Sequence, residues 1–417
     1  MSVSPAKARI VQKDDDDVVI VSAVRTAITK AKKGGFKDTH PELLLSHVLR
    51  AAYTQPNLDP SLIEDISVGN VLPAGGGAGA ARMAALHAGI PYTTSLNTVN
   101  RQCSSGLTGL VQIANQIAAG QIAIGIGAGV ESMTMGYGAG GVPASYSEEV
   151  VADPLAEECL LPMGFTSENV ASDFGVSRAK QDEFAAKSFQ KAAKAQKEGK
   201  FDKEVLKIKA KVVVKGKDGE EETREVLVDR DDGVRDGVTK ESLSKLKPAF
   251  KKDGSTHAGN ASQVSDGAAA VVLARRSIAK KLGLPIIGKF VSAATIGVPP
   301  RIMGVGPAYA IPRVLENVGL ETSDIDFWEI NEAFASQAVY SVEKLGLGRG
   351  SQGVWAGKEN VNVWGGAIAL GHPLGCTGAR QVVTGLNIAK TEGGQVFVTS
   401  MCIGSGMGMA AVFVSEQ

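Results

Sequence analysis

The chain has 417 residues, a length at which two or three packed units are expected rather than one hydrophobic core. Hydrophobic residues make up 44% of it and charged residues 21%, which is typical of a soluble, globular protein. Lysine plus arginine and aspartate plus glutamate both number 44, so no global electrostatic field attracts nucleic acid.

The cysteines argue for a reducing compartment. Cys103, Cys159, Cys376 and Cys402 show no C-x-x-C spacing, so neither a disulfide scaffold nor a zinc site is expected. No apolar run approaches the length of a membrane span. The N-terminal segment ends in four aspartates and matches neither a secretory signal nor an acid-poor transit peptide.

The first third of the chain alternates between predicted strands and helices. Apolar, β-branched runs predict strands at 18–24, 63–71 and 122–130. Helical spacing predicts helices at 41–53, at 75–89 and directly after Cys103. Such alternation predicts a parallel α/β sheet.

The character of the sequence changes after about residue 133. A basic helix is predicted at 177–198, where Gly199 ends it. Residues 206–228 alternate charged and β-branched side chains around Lys217-Asp218-Gly219, which predicts a hairpin. This middle region is predicted to be an insertion over the α/β core. Its lysines could meet cofactor phosphates, but a solvated charged face is the more common reason for such a run.

The core pattern then resumes and repeats the first part. Strands are predicted at 268–273, 324–330, 395–401 and 410–414, and a helix at 311–318. The strand 65–70 resembles the strand 326–331, since each ends in asparagine. The segment that opens at Cys103 resembles the one that opens at Cys376. These echoes predict a duplicated α/β unit.

Cys103 is a candidate nucleophile. The polar, β-prone segment before it and the helical spacing after it place the thiol at a strand-to-helix turn. The positive end of a helix stabilises an anion, so we expect the pKa of the thiol to fall. Ser104, Ser105 and Gly106 leave room for a substrate. On this segment alone, a small core residue remains an equal alternative.

Three further segments carry candidate chemistry. His372 stands between Gly371 and Pro373, and Cys402 precedes a glycine-rich turn. A strand delivers Asn331 at the start of Asn-Glu-Ala-Phe. Taken singly, the histidine could be a hydrogen-bonded core residue and Cys402 a structural one.

Together these segments resemble the thiolase family. The four motifs are 100–106, 331–334, 371–373 and 402–406, in that order, and the resemblance runs from about residue 17 to the C-terminus. Further details at 161–164 and 375–380 are similar to degradative 3-ketoacyl-CoA thiolases, especially the peroxisomal branch.

The resemblance implies an α/β fold of two duplicated halves in five-layered (αβαβα) packing, with an inserted loop domain. We therefore expect a flexible N-terminal segment at 1–17 and an N-terminal half at 18–133 and 258–290. The loop domain is expected at 134–257 and the C-terminal half at 291–417. A homodimer is implied, with no metal in the chemistry.

The resemblance also implies roles for the motif residues. Cys103 is the nucleophile, His372 the base, and Cys402 the group that moves a proton at the acetyl α-carbon. One oxyanion hole uses His372 and a water held by Asn331. The other uses the backbone N–H groups of Cys103 and Gly404.

Three more residues are expected to contact the substrate. Ser262 matches a position beside the pantetheine arm, Met163 matches a loop-domain position near the acyl group, and Phe334 belongs to the Asn331 motif. Trp364 departs from the family, and we expect its indole to reshape the wall behind His372.

The implied activity is cleavage of 3-ketoacyl-CoA by coenzyme A, a co-substrate, to acetyl-CoA and a shortened acyl-CoA. Two alternatives stay open: an acetoacetyl-CoA thiolase working by condensation, and a non-catalytic acyl-CoA or lipid-binding protein on the same fold. The resemblance implies a peroxisomal location, although no targeting nonapeptide or C-terminal Ser-Lys-Leu is recognised, and a cytoplasmic location is the alternative.

Overall fold

The computed structural model describes residues 4–137, 145–215 and 219–417. The strands are numbered in chain order: β1 (Val18–Thr26), β2 (Thr29–Lys30), β3 (Asp65–Gly69), β4 (Ser95–Val99), β5 (Ile124–Ser132), β6 (Val205–Leu206), β7 (Ile208–Lys215), β8 (Glu221–Val228), β9 (Ser265–Arg275), β10 (Gly288–Gly297), β11 (Phe327–Ile330), β12 (Val396–Ile403) and β13 (Met407–Ser415).

The α-helices are α1 (Pro5–Ile10), α2 (Pro41–Thr54), α3 (Ala78–His87), α4 (Ser105–Ala118), α5 (Met133–Gly136), α6 (Glu148–Val151), α7 (Pro154–Glu158), α8 (Met163–Asp173), α9 (Arg178–Lys197), α10 (Lys240–Ser244), α11 (Arg276–Lys281), α12 (Gly306–Val318), α13 (Ala335–Lys344), α14 (Ala367–Leu370) and α15 (Leu374–Glu392). Short 3₁₀ turns cover Pro60–Leu62, Ala74–Gly77, Pro300–Val305, Thr322–Asp324 and Gly353–Trp355.

The main sheet consists of two halves with the same strand order. One half runs β1-β9-β5-β3-β4 and the other β10-β13-β12-β11, with a parallel bridge from Trp328 to Val361 in the fifth place. In both halves the first three strands pair antiparallel and the remaining strands pair parallel. A register shift follows Ile20 in β1, and another follows Phe290 in β10. This shared irregularity is the structural trace of the predicted duplication.

Helices cover and separate the two half-sheets. Helix α2 packs on β1, β5 and β9, and α12 packs on β10, β12 and β13. Helices α4 and α15 pack on each other, and α15 contacts strands of both halves. The resulting order of layers is helix, sheet, helix, sheet, helix, and it places α4 and α15 in the centre of the molecule.

Glycines let the two central helices come together. A Cβ atom on Gly106 of α4 would lie 2.6 Å from the carbonyl oxygen of Gly375, and one on Gly378 of α15 would lie 2.4 Å from the nitrogen of Leu107. On the sheet side, a Cβ on Gly127 of β5 would lie 2.4 Å from the Cα of Leu110. The absence of these side chains brings the N-termini of α4 and α15 into contact.

A buried ion cluster ties the middle region to the core. Arg25 of β1 bonds Glu204 through Nε at 2.7 Å and Asp231 through both Nη atoms at 2.7 and 2.8 Å, and none of these side chains is exposed to solvent. Strands β7 and β8 pair antiparallel as predicted, and Lys217 and Asp218 of the predicted turn lie outside the described residues. The limits of the inserted domain, 134–257, stay a prediction.

Residues 4–17 of the N-terminal segment, which the sequence predicts to be flexible, make specific contacts with the core. Residues 5–10 form α1, capped by the Ser4 hydroxyl, which accepts a hydrogen bond from the N–H of Lys7. Ile10 is buried, and the Lys7 ammonium lies 3.0 Å from the Asp326 carboxylate. The buried side chain of Ile10 and the ion pair of Lys7 attach this segment to the core, and its polar composition gives no sign of either contact.

Sequence patterning does not predict strand β10, because apolar and polar residues alternate only weakly along it. Its signal is a repeat: Val21-Ser22-Ala23 of β1 recurs as Val291-Ser292-Ala293 of β10, beside the same register shift. Within the described ranges, no helix is long and apolar enough to cross a membrane.

Candidate active site

The turn that carries Cys103 joins β4 to α4. Gln102, directly before it, has a φ of 48°, and its N–H donates to the Asn100 side chain at 2.9 Å. The Ser105 hydroxyl accepts from the N–H of Arg101 at 2.9 Å and donates to the carbonyl of Gln102 at 2.7 Å. These bonds hold Gln102 in a left-handed backbone conformation directly before the cysteine.

The pKa of Cys103 does not fall as the sequence predicts. The side chain is only 8% exposed, and this burial raises the pKa of the thiol to about 11, with a smaller upward contribution from the charge of Glu131. The N–H groups of Gly404 and of Cys103 itself point at the sulfur and oppose the rise. Desolvation outweighs the helix terminus, so the resting group is a neutral thiol.

His372 precedes α15, where its N–H donates to the carbonyl of Gln263 at 3.0 Å. Its Nδ1 lies 2.5 Å from the Thr377 hydroxyl, which donates its proton to the carbonyl of Pro373 at 3.0 Å. The hydroxyl must then accept from Nδ1–H, which leaves the lone pair on Nε2. Burial, followed by the charge of Arg380, lowers the pKa of His372 to about 3. The imidazole is therefore a neutral base.

Asn331 faces that base from the end of β11. Its Nδ2 lies 3.4 Å from Nε2 of His372. Its N–H donates to the carbonyl of Ser400 at 2.8 Å, and its carbonyl accepts from the Gln337 side chain at 2.7 Å. The side-chain oxygen is buried and has no partner within the described ranges. An acceptor left free in this way is suited to a bound water or substrate group.

Cys402 lies near the end of β12 and is fully buried. Burial raises the pKa of its thiol, and so does the neighbouring thiol of Cys103. Both cysteines and the pair of His372 and Asn331 thus meet where β4, β11 and β12 end, the edge at which ligands bind in such sheets.

The predicted substrate-contacting residues lie in or next to the small apolar cluster of Cys402. Met163 and Phe334 pack against the small apolar cluster that contains it. A Cβ on Gly404 would lie 3.7 Å from the sulfur of Met163. The N–H of Ser262 donates to the carbonyl of Ala333 at 2.9 Å, beside Phe334. The structure therefore brings these residues close to Cys402, whereas their roles stay predictions.

Glu332 fixes the backbone that leads to His372. Its carboxylate accepts from the Ser188 hydroxyl at 2.6 Å, from the Asn362 amide at 2.7 Å and from the N–H of Ile368 in α14 at 3.1 Å. Sequence reasoning missed Asn362 and Thr377. The signal for Thr377 is a hydroxyl residue one turn into the helix that follows His372, and Asn362 carries no local signal.

Trp364 does not form a wall behind His372, so that interpretation is wrong. Its indole N–H donates to Glu392 at 3.1 Å, at the far end of α15. Its ring packs edge-on against Phe201 at 5.6 Å and lies below the Lys200 ammonium at 5.9 Å. The length of α15 alone, about 27 Å, separates this contact from the histidine.

No three histidine, cysteine, aspartate or glutamate side chains converge as a metal site in the part of the chain that the structure describes.

Two neighbouring thiols, a neutral imidazole and an oriented amide at the junction of two similar α/β halves define a protein equipped for acyl transfer through cysteine. The family model described as "Thiolase, N-terminal domain" matches residues 18–277, and "Thiolase, C-terminal domain" matches residues 284–415. The chain belongs to the thiolase family.

Individual relatives match over almost the whole length. The peroxisomal 3-ketoacyl-CoA thiolase of Yarrowia lipolytica is 54% identical over 99% of this chain and 97% of its own. The crystal structure of the dimeric peroxisomal thiolase of Saccharomyces cerevisiae is 51% identical, with a TM-score of 0.87, and covers 98% of this chain and 100% of that one.

A second structure of peroxisomal 3-ketoacyl-CoA thiolase from Saccharomyces cerevisiae is 46% identical, with a TM-score of 0.77, over 97% of this chain and 100% of that one. It is described as five layers, A-B-A-B-A, built from two core domains of identical topology. The predicted fold class and family are therefore confirmed.

Proposed function

We propose that the protein is a 3-ketoacyl-CoA thiolase, an acetyl-CoA C-acyltransferase of fatty-acid β-oxidation. The observation that carries the proposal is the closeness of the Cys103 and Cys402 thiols at the strand ends where Asn331 contacts the uncharged His372. Identity of 53–54% to peroxisomal 3-ketoacyl-CoA thiolases over 99% of the chain supports cleavage of 3-ketoacyl-CoA over condensation to acetoacetyl-CoA. The three intact groups disfavour a purely binding role.

The first half-reaction begins at Cys103. Nε2 of His372 takes the thiol proton while the sulfur attacks the 3-keto carbon, which forms a C–S bond and an oxyanion. Collapse of the oxyanion breaks the C2–C3 bond, leaves the acyl group on Cys103 and releases the electron pair as the enolate of acetyl-CoA. Cys402 protonates that enolate, and the proton held by His372 then restores Cys402. A proton moves only as the bond forms, so a high resting thiol pKa is compatible with attack.

Coenzyme A completes the second half-reaction. His372 takes the proton of the CoA thiol, whose sulfur attacks the acyl carbon. Cys103 leaves as the thiolate and recovers the proton. The products are acetyl-CoA and an acyl-CoA two carbons shorter, and the enzyme returns to its starting state.

Two sets of donors stabilise the developing negative charges. The N–H groups of Cys103 and Gly404, which both point at the sulfur, serve the oxygen of the acyl group. His372 and a water on the free oxygen of Asn331 serve the thioester oxygen that becomes an enolate. Loss of one such donor typically costs about 3–4 kcal/mol of transition-state stabilisation.

The remaining predictions follow from the same assignment. Ser262 contacts the pantetheine arm, and Met163 and Phe334 line the acyl side. Coenzyme A is a co-substrate, and no step uses a metal. The protein acts as a homodimer in the peroxisome, as the names of its relatives support. Residues 18–133 with 258–290 and residues 291–417 form its two halves.

The test is a thiolysis assay on purified protein with 3-ketoacyl-CoA substrates from C4 to C16. We expect acetyl-CoA and the shortened acyl-CoA in equal amounts, and faster turnover of chains longer than C4. Turnover confined to C4 would favour acetoacetyl-CoA thiolase. Tight binding of acyl-CoA without any turnover would favour the binding protein.

A further inference from the structure

Glu131 is a buried carboxylate that the proposed reaction does not use. It lies near the end of β5 with none of its surface exposed. One oxygen accepts from the N–H of Gly375 at 2.9 Å, and the other accepts from the N–H of Leu72 at 3.1 Å. Gly375 belongs to the first turn of α15 and follows His372 by three residues. The carboxylate therefore joins the start of the His372 helix to the segment after β3.

The same carboxylate lies at the junction of α4, α15 and β5. A Cβ on Gly129, two residues before it, would lie 2.2 Å from the carbonyl oxygen of Gly375 and 3.1 Å from the Cα of Gly106. This junction is the place where the turns of Cys103 and His372 meet. At this junction the backbones of α4, α15 and β5 touch directly, with no side chain between them. A shift of Gly375 would therefore move the turn of His372 relative to the turn of Cys103.

Several ionisable groups face Glu131. Burial raises the pKa of its carboxyl to about 7, the backbone N–H groups of Gly375, Leu72 and Val71 oppose the rise, and Asp266 of β9 adds to it. Its own charge raises the pKa values of the Cys103 and Cys376 thiols, each of which burial raises more. A carboxylate at a helix N-terminus is favoured by the unpaired N–H groups and by the dipole, which explains how the site tolerates the charge.

We propose that Glu131 is a positioning residue for the acyl-transfer reaction, which holds the start of the His372 helix against the turn that carries Cys103. The inference rests on the proposed function for the roles of Cys103 and His372.

The test compares Glu131→Gln with Glu168→Gln. Glu168 is a matched control, because it is also buried and its carboxylate accepts from backbone N–H groups, those of Ser255 and Thr256. Hydrogen exchange of the backbone amides at residues 371–378, read by peptide mass spectrometry, reports how firmly the start of α15 is held. Glu131→Gln should speed this exchange roughly tenfold, because the bond to the N–H of Gly375 is weakened or lost. Glu168→Gln should leave the exchange of this segment unchanged.

Turnover supplies the second readout. Glutamine keeps one acceptor for the two N–H groups, so kcat of thiolysis should fall about tenfold with little change in KM. Exchange at residues 371–378 that matches the wild type in Glu131→Gln, or that is equally fast in Glu168→Gln, would overturn the proposal. Should Glu131→Gln not fold, Glu131→Asp replaces it with the same expectations, because its shorter side chain cannot reach the N–H groups of Gly375 and Leu72 together. Hydrogen exchange needs no turnover, so a chain without thiolase activity would still yield this result.

Discussion

At the scale of single residues, the proposed nucleophile and base are both uncharged at rest. Burial raises the pKa of Cys103 to about 11 and lowers that of His372 to about 3. The sequence places the thiol at a helix start, which favours a thiolate, yet it cannot show how completely water is excluded. Catalysis therefore depends on the tautomer of His372, which leaves Nε2 free to accept the thiol proton, and not on a preformed ion pair of thiolate and imidazolium.

Thr377→Val tests that tautomer. Valine keeps the shape of the side chain but removes the hydroxyl that accepts from Nδ1–H. Loss of this one bond should lower kcat about tenfold, with KM nearly unchanged. A matched control is Thr399→Val, which alters a buried hydroxyl on β12 that has no partner within the described ranges. Unchanged kcat in Thr377→Val would contradict the assigned tautomer.

Motif reasoning locates the four reacting side chains but not the residues that orient them. Cys103, Asn331, His372 and Cys402 stand in short segments whose glycines and neighbours are informative. Asn362 and Glu131 act through contacts between segments far apart in the chain, whereas Thr377 lies only one helical turn after His372. Trp364 shows the converse, since proximity in sequence to His372 suggested a contact that the fold does not make.

At the scale of elements, the crossing of α4 and α15 determines the geometry of the site. Each helix begins beside a reacting residue, and glycines at the crossing set the distance between the helix axes. The helical spacing after Cys103 and the resemblance of the Cys376 segment to it predict both helices. These patterns do not predict the close approach of the helices, because the contact partners of Gly106 and Gly378 lie in the opposite half.

Gly378→Ala should therefore destabilise the fold. Its new methyl group would lie 2.4 Å from the nitrogen of Leu107, so backbone must shift, at a cost of about 1–3 kcal/mol in the free energy of unfolding. Chemical denaturation measures this. Gly79→Ala in α3 is the control, since nothing lies within 4 Å of its added carbon, and it should gain up to about 1 kcal/mol from helix propensity. Equal effects would refute the close-packing argument.

At the scale of the whole molecule, buried ion pairs as well as apolar contacts attach the middle region to the core. The sequence predicts that this region is an insertion and that most of its lysines lie on a solvated face. Glu204 and Asp231 are not distinguishable from surface acids in the sequence. Only the fold brings them to Arg25, more than 170 residues away.

Arg25→Ala would leave both carboxylates buried without their partner. Such a loss should cost roughly 3–5 kcal/mol of folding free energy and open the middle region to limited proteolysis. Arg313→Ala is the matched control, because its pair with Glu316 is exposed, and it should change the stability by less than about 1 kcal/mol. Similar denaturation midpoints and similar cleavage patterns for the two variants would contradict the proposed coupling.

Covalent labelling of Cys103 by substrate tests the central claim most directly. Wild-type protein, Cys103→Ala and Cys402→Ala are each exposed to a simple acyl-CoA donor, and peptide mass spectrometry locates the acyl group. Cys402→Ala should still be acylated on Cys103, because that half-reaction breaks no carbon–carbon bond, while its full thiolysis slows by roughly 10²–10⁴-fold. Cys103→Ala should not be acylated at all. An acyl group on Cys402 in the Cys103→Ala variant, with none on Cys103 in Cys402→Ala, would contradict the account.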